Sequence, residues 1–195
     1  ELFSKFDLVK EIFKITDQRL NYPLSKIILD GPENELQLTK NTQPAILTVS
    51  NAIFKVLKIE FGLDLKSFKF FAGHSLGEYS ALVCSDSLNF KDALYLLHER
   101  GKAMQNAVPV GKGSMIAILG MKNKEITDLL ESRKGDVGVC EIANDNADGQ
   151  VIVSGNKESI NSLKDLLTQK KIKSIPLKVS APFHCSLMRP AAESM

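Results

Sequence analysis

The chain has 195 residues, 44% of them hydrophobic and 25% charged, with 12 Gly and 7 Pro. This ordinary globular composition suits one domain, or one domain with a smaller insert, and excludes a disordered, fibrous or low-complexity protein. A formal net charge of +2, from 25 basic and 23 acidic side chains, leaves no footprint for nucleic acid.

The three cysteines, Cys84, Cys140 and Cys185, lie far apart without a CxxC pair, so a reducing, cytoplasmic setting is expected. His74, His98 and His184 offer no metal-ligand spacing. No apolar run is long enough to span a membrane, and no signal peptide is read at the start.

In chain order, residues 1–30 read as a helix carrying Leu2, Phe3, Phe6, Leu8, Val9, Ile12 and Phe13, followed by a shorter segment at Leu24–Leu29. Asp30 to Asn34 is a breaker. Pro44 suits the first turn of a helix, in which Ile46, Val49, Ile53, Val56 and Leu57 recur at helical spacing. Phe68 to Ala72 reads as a short aromatic strand leading into Gly73-His74-Ser75-Leu76-Gly77 and the helix Glu78–Cys84. Asn89 caps a further helix with Phe90, Ala93, Leu94, Leu97 and Met104 on its stripe.

From Gly113 the pattern changes. Strands are expected at 114–119, 137–143 and 150–154, with a last one on the alternating Ile175, Leu177 and Val179. Helices are expected at 122–132 and 159–169, and a turn at 144–149. This order is β-α-β-β-α-β, the ferredoxin-like split unit. Residues 112–179 are therefore read as a small domain inserted into a larger α/β domain made of 1–111 and 180–195. The larger domain is expected to be hydrolase-like, around a short parallel sheet.

Strand, glycine turn and helix is the setting in which GxSxG denotes a nucleophile elbow. A serine hydroxyl needs a base within hydrogen-bond reach. Of the three histidines, His184 is the best candidate, since it sits on a loop after a strand and Pro182. No carboxylate stands out to orient its ring, which leaves a dyad as one arrangement. The backbone N–H of Leu76 would point at an oxyanion from the helix N-terminus.

Arg100 falls on the apolar stripe with Ala93, Leu97 and Met104. An inward guanidinium is costly unless it meets an anion, so it is read either as a grip for a substrate carboxylate or as a snorkelling or structurally paired arginine. Lys170, Lys171 and Lys173 form either a solvated helix end or a docking patch for an acidic partner or for phosphates. Gly111-Lys112-Gly113 precedes a strand instead of following one, which excludes a phosphate-binding loop. Turn chemistry accounts for Asn144, Asn146 and Gln150, and Cys185 reads as a small buried hydrophobe.

Taken together, Asn41-Thr42-Gln43-Pro44-Ala45, Gly73-His74-Ser75-Leu76-Gly77-Glu78-Tyr79, Arg100-Gly101 with Gly111-Lys112-Gly113-Ser114-Met115, and Ala181-Pro182-Phe183-His184 closely resemble the malonyl-CoA:acyl carrier protein transacylases of fatty acid synthesis. The resemblance implies malonyl transfer from malonyl-CoA to the phosphopantetheine thiol of acyl carrier protein, by a ping-pong route through an acyl-Ser75 intermediate. It implies His184 as base, Leu76 as oxyanion donor and Arg100 as the grip on the malonyl carboxylate. Gln43, His74, Met115 and Phe183 fall at substrate-side positions. No cofactor or metal is implied, and a monomer is expected.

The chain departs from that family in two places. Nothing in residues 1–30 matches the family's opening strand and glycine-glutamine-glycine loop, and the family continues past the catalytic histidine. A large domain incomplete at both ends is therefore expected. Loss of the second oxyanion donor typically costs roughly 10²–10³ in rate. The rival readings are a serine hydrolase or thioesterase using the same elbow, and a catalytically weak fragment that only docks acyl carrier protein.

Overall fold

Apolar residues three and four apart make a stripe that must be buried against another element, and in the first hundred residues the chain does this repeatedly between helices. The computed structural model describes residues 1–133 and 138–195, which fall into two compact units, Glu1–Gly101 and Lys102–Met195. The first unit carries α1 (Leu2–Lys5), α2 (Asp7–Leu20), α3 (Leu24–Asp30), α4 (Glu33–Leu36), α5 (Thr39–Ile59), α6 (Gly77–Cys84) and most of α7 (Phe90–Ala107). Val9, Ile12 and Phe13 of α2 pack on Ala52 and Val56 of α5. Leu47 of α5 meets Val83 of α6 and Ala93, Leu94 and Leu97 of α7. The hydroxyls of Thr16 and Thr48, both buried, bond each other at 3.0 Å. As expected, Asn89 caps α7, its Oδ1 accepting the Lys91 N–H at 2.9 Å.

Three expectations for this unit need correction. Residues 68–72 form no strand, and the described residues of Glu1–Gly101 contain no sheet at all. A strand exists only as a ladder with a partner; here no second extended segment lies alongside, and Phe70 stays 86% exposed. The expected parallel sheet is thus not seen.

The most apolar stripe of α5 is also not its buried one. Ile46, Val49, Ile53 and Leu57 are exposed, while Ala45, Thr48, Ala52 and Val56 face the interior. Pro44, finally, is the sixth residue of α5 and not in its first turn. A proline there has no N–H for the carbonyl four residues back, which is that of Lys40. The ring of His98 supplies the donor instead, its Nδ1 lying 3.1 Å from that oxygen.

The second unit is built on an antiparallel sheet of β1 (Gly113–Leu119), β2 (Cys140–Ala147), β3 (Gln150–Asn156) and β4 (Lys173–Pro176), in the order β2-β3-β1-β4. Two helices, α8 (Asn123–Glu131) and α9 (Lys157–Gln169), connect β1 to β2 and β3 to β4. The expected element order therefore holds, with shifted edges. Val137, the expected start of a strand, lies outside the described residues. Asn144 and Asn146 sit within β2, where the pairing with β3 shifts register, rather than in the turn, which shortens to Asp148-Gly149. Gly149 takes φ 73° there, a conformation cheap only for glycine. The last strand ends at Pro176, although Leu177 N–H still donates to the Met115 carbonyl at 3.0 Å.

Alternation along β1 serves two cores. Ile116 and Ile118 join Ile126 of α8, Val151 and Val153 of β3, and Ile160, Leu163 and Leu167 of α9. On the opposite face Met115 and Ala117 meet Ile152, with Leu177 and Phe183 against them. A short helix, α10 (Arg189–Ser194), closes this unit. Met188 and Ala191 pack there on Met104 and Val108. The described residues are thus α/β, with many helices and a small antiparallel sheet.

Candidate active site

The GxSxG segment forms a tight elbow whose two glycines do different work. A Cβ on Gly73 would stand 1.9 Å from the Gly77 carbonyl oxygen and 2.5 Å from the Glu78 nitrogen, whereas one on Gly77 would meet nothing within 4 Å. Gly73 lets the chain fold back on the start of α6. Gly77 N–H donates to the His74 carbonyl at 2.8 Å and Glu78 N–H to the Ser75 carbonyl at 3.2 Å. Ser75 sits between them at φ 54°. A left-handed serine is strained, and such strain persists where the surroundings impose it, often at functional positions. Ser75 and Leu76 are half-buried and His74 is exposed. All three line an open cavity of about 670 Å³ with Ile46, Phe54 and Phe71.

Arg100 reaches this elbow. Its Nη2 donates toward Ser75 Oγ at 3.4 Å and its Nη1 to Gln43 Oε1 at 2.6 Å. Gln43, 3% exposed, is held in turn by Thr39, whose Oγ1 accepts from its Nε2 at 2.9 Å. Close helix contact makes this chain of bonds possible: a Cβ on Gly101 would fall 2.5 Å from Lys40 Cα and 2.6 Å from the Thr39 carbonyl oxygen. The hydrogen bonds of the guanidinium among the described residues go to neutral oxygens. Burial draws its pKa below the ordinary arginine value, against the upward pull of Tyr79 and Glu78. A cation that is half-desolvated and bonded only to neutral partners retains its attraction for an anion.

His184 belongs to the second unit. It is exposed, at φ 58°, in the turn that follows the buried Ala181 and Pro182. A Cβ on Gly113 would lie 2.3 Å from the Pro182 ring, so β1 and this turn touch closely. Gln105 Nε2 donates to the Ser180 carbonyl at 3.3 Å, and Phe183 packs against the cluster containing Met115. Cys185 Sγ donates to the Pro182 carbonyl at 3.2 Å, and burial pushes its thiol up. That agrees with reading Cys185 as structural rather than nucleophilic.

Ser75, Leu76, His74, Gln43 and Arg100 thus lie within the first unit, and Met115, Phe183 and His184 within the second. Sequence reasoning missed Thr39, which orients Gln43, and His98, which bonds the carbonyl orphaned by Pro44. His98 had a signal: a proline deep in a helix leaves an acceptor four residues back. Among the described residues, no helix is long and apolar enough to cross a membrane, and no group of three or more His, Cys, Asp or Glu side chains could hold a metal ion.

The chain is 41% identical over 196 residues to the malonyl CoA-acyl carrier protein transacylase of Bacillus subtilis, covering all of this chain and 61% of that protein. It is 43% identical to the protein of the same name from Haemophilus influenzae, covering all of this chain and 62% of that one. Among solved structures, the acyl-carrier-protein-S-malonyltransferase from Bartonella henselae superposes with a TM-score of 0.91 at 42% identity, over 99% of this chain and 62% of that chain. A malonyl-transacylase in complex with a type II PKS acyl-carrier protein gives 0.90 at 41% identity, over 99% and 62%. The chain spans about six tenths of the length of the curated relatives it matches. With the family model for the acyl transferase domain matching residues 10–195, the chain belongs to the acyl transferase domain family.

Proposed function

We propose that this chain carries the acyl-enzyme machinery of a malonyl transferase that moves malonyl from malonyl-CoA to the phosphopantetheine thiol of acyl carrier protein. One observation carries the reading: a left-handed elbow serine whose Oγ lies 3.4 Å from the Nη2 of a half-buried arginine. In a malonyl ester the free carboxylate is only three bonds from Oγ, at roughly 1.5 Å per bond. A malonyl group on Ser75 therefore brings its carboxylate within reach of Arg100. An acetyl group has nothing to offer the guanidinium, and a serine hydrolase or thioesterase would have no use for it. The names of the relatives and the carrier-protein complex support the same substrates.

In this scheme His184 takes the Ser75 proton as Oγ attacks the thioester carbonyl. The oxyanion that forms accepts the Leu76 N–H, and the departing coenzyme A thiolate takes the proton from His184. The carrier thiol next gives its proton to His184 while its sulfur attacks the ester, and Ser75 Oγ leaves and is reprotonated. Gln43 holds Arg100 to the site, and Met115 and Phe183 are assigned to the substrate side by the resemblance to the family. The scheme calls on no metal or cofactor.

The β-α-β-β-α-β order and the sheet order β2-β3-β1-β4 support residues 112–179 as a ferredoxin-like insertion in a hydrolase-like acyltransferase domain formed by 1–111 and 180–195. Three cysteines, none in a disulfide, favour a cytoplasmic setting. The test is intact-mass spectrometry after brief exposure to malonyl-CoA. A gain of one malonyl group that vanishes in Ser75→Ala is expected; a gain that survives the substitution would remove Ser75 from the mechanism.

A further inference from the structure

His184 is held in an uncommon conformation, and something must hold it. The turn carrying it is fixed beforehand by Pro182 against Gly113. Its other side is gripped from the sheet by Glu141 of β2. One carboxylate oxygen of Glu141, Oε2, accepts the Ser186 N–H at 2.7 Å, and the other, Oε1, accepts the Ser186 hydroxyl, also at 2.7 Å. Ser186 opens the short helical run Ser186–Met188 that leads into α10, and Met188 N–H donates to the Cys185 carbonyl at 2.9 Å. A carboxylate at that point meets two donors at once.

We infer that Glu141 is a positioning residue: by clamping Ser186 at both its N–H and its hydroxyl, it holds the left-handed turn at His184 and aims the imidazole. The inference rests on the reading of His184 as the base for Ser75. Glu141 is given no part in the proton transfer itself. It acts across a separation of 45 residues, through the backbone two positions past His184. Removing the clamp takes away both hydrogen bonds that tie Ser186 to the sheet, so the turn carrying His184 is less sharply set and the ring is aimed less well for proton transfer. A small misplacement of a catalytic group is costly, up to about 10²-fold for an ångström.

The test compares the wild-type chain with Glu141→Ala, Glu141→Gln and Ser186→Ala. Two readouts are followed: the rate of Ser75 malonylation against malonyl-CoA concentration, and the NMR resonances of the His184 imidazole, assigned through His184→Asn. Glu141→Ala is expected to lower the maximal malonylation rate about tenfold, leave the half-saturating malonyl-CoA concentration unchanged, and shift the His184 resonances. Glu141→Gln, which keeps an oxygen for the Ser186 N–H, is expected to recover most of the rate, and Ser186→Ala to fall between.

Unchanged His184 resonances in Glu141→Ala would overturn the inference. So would equal losses in the Gln and Ala variants that track a common fall in melting temperature. A wild-type chain that takes up no malonyl group would overturn the transfer reading by itself, and the imidazole resonances would then still decide whether Glu141 positions His184.

Discussion

At Ser75 the backbone is strained because Gly73 permits it, and the motif's two glycines can be separated by substitution. Gly73→Ala would force a methyl to within 1.9 Å of the Gly77 carbonyl oxygen, so loss of the elbow and of Ser75 malonylation is expected. Gly77→Ala has open space and stands at a helix start, so it should retain malonylation by intact mass. In the proposed transfer, Arg100→Ala would remove a charge-assisted grip on the malonyl carboxylate, typically about 1.5–3 kcal/mol. The preference for malonyl over acetyl donors should therefore fall by roughly 10- to 100-fold, where about 1.4 kcal/mol is tenfold. An unchanged donor ratio in competition assays would take Arg100 out of that role. Tyr22 gives a pH signature. Burial first, and the Asp17 charge second, push its hydroxyl up to about 12, and that hydroxyl donates to Asn41 Oδ1 at 3.0 Å. The unfolded chain releases this proton near pH 10, so the contribution is complete below that and declines as pH rises through the folded value. Urea midpoints should show a loss between pH 10 and 12 that Tyr22→Phe lacks.

Among the elements, α5 and α7 are joined by a repair. The sequence places Pro44 at helical spacing, and the carbonyl of Lys40 that it orphans is bonded by His98 at 3.1 Å. His98→Ala should cost about 1–3 kcal/mol, as for any half-buried acceptor left without its donor. The same substitution in a Pro44→Ala background should cost much less, since an alanine in place of the proline restores an N–H to that carbonyl; urea denaturation of the four chains measures the coupling. In the sheet unit, Leu163 is fully buried among Ile116, Ile118 and Val153. Leu163→Ala should lose about 2–5 kcal/mol. These elements were largely readable from periodicity, because β1, α8, β3 and α9 each satisfy their pattern against neighbours in the same small sheet. The stripe of α5 misled. Its larger apolar residues Ile46, Val49, Ile53 and Leu57 lie on the uncovered face and Ala45, Thr48, Ala52 and Val56 on the covered one, and only the positions of the neighbouring helices decide which face is covered.

For the molecule as a whole, the uncovered face of α5 matters. Ile46, Val49, Ile53 and Leu57 are each at least 36% exposed, and Ile46 lines the cavity at Ser75 together with the exposed Phe70 and Phe71. Apolar area of this kind draws apolar partners from solution. The folded chain should bind an apolar fluorescent dye, and Phe70→Ser should lower that signal without lowering the melting temperature. Equal dye binding by both chains would place the apolar surface elsewhere.

The sequence by itself determined the helices, the β-α-β-β-α-β order, the elbow and the inward arginine. Each depends on residues within a few positions of one another, through backbone sterics, capping and period. Only the tertiary structure decided that Arg100 bonds Gln43 across 57 residues and that Glu141 grips Ser186 across 45. It also decided that His98 bonds the carbonyl that Pro44 leaves without its donor inside α5 and that residues 68–72 stay out of any sheet. Those contacts join groups distant in sequence. Such pairings follow from which surfaces meet, and no local pattern encodes that.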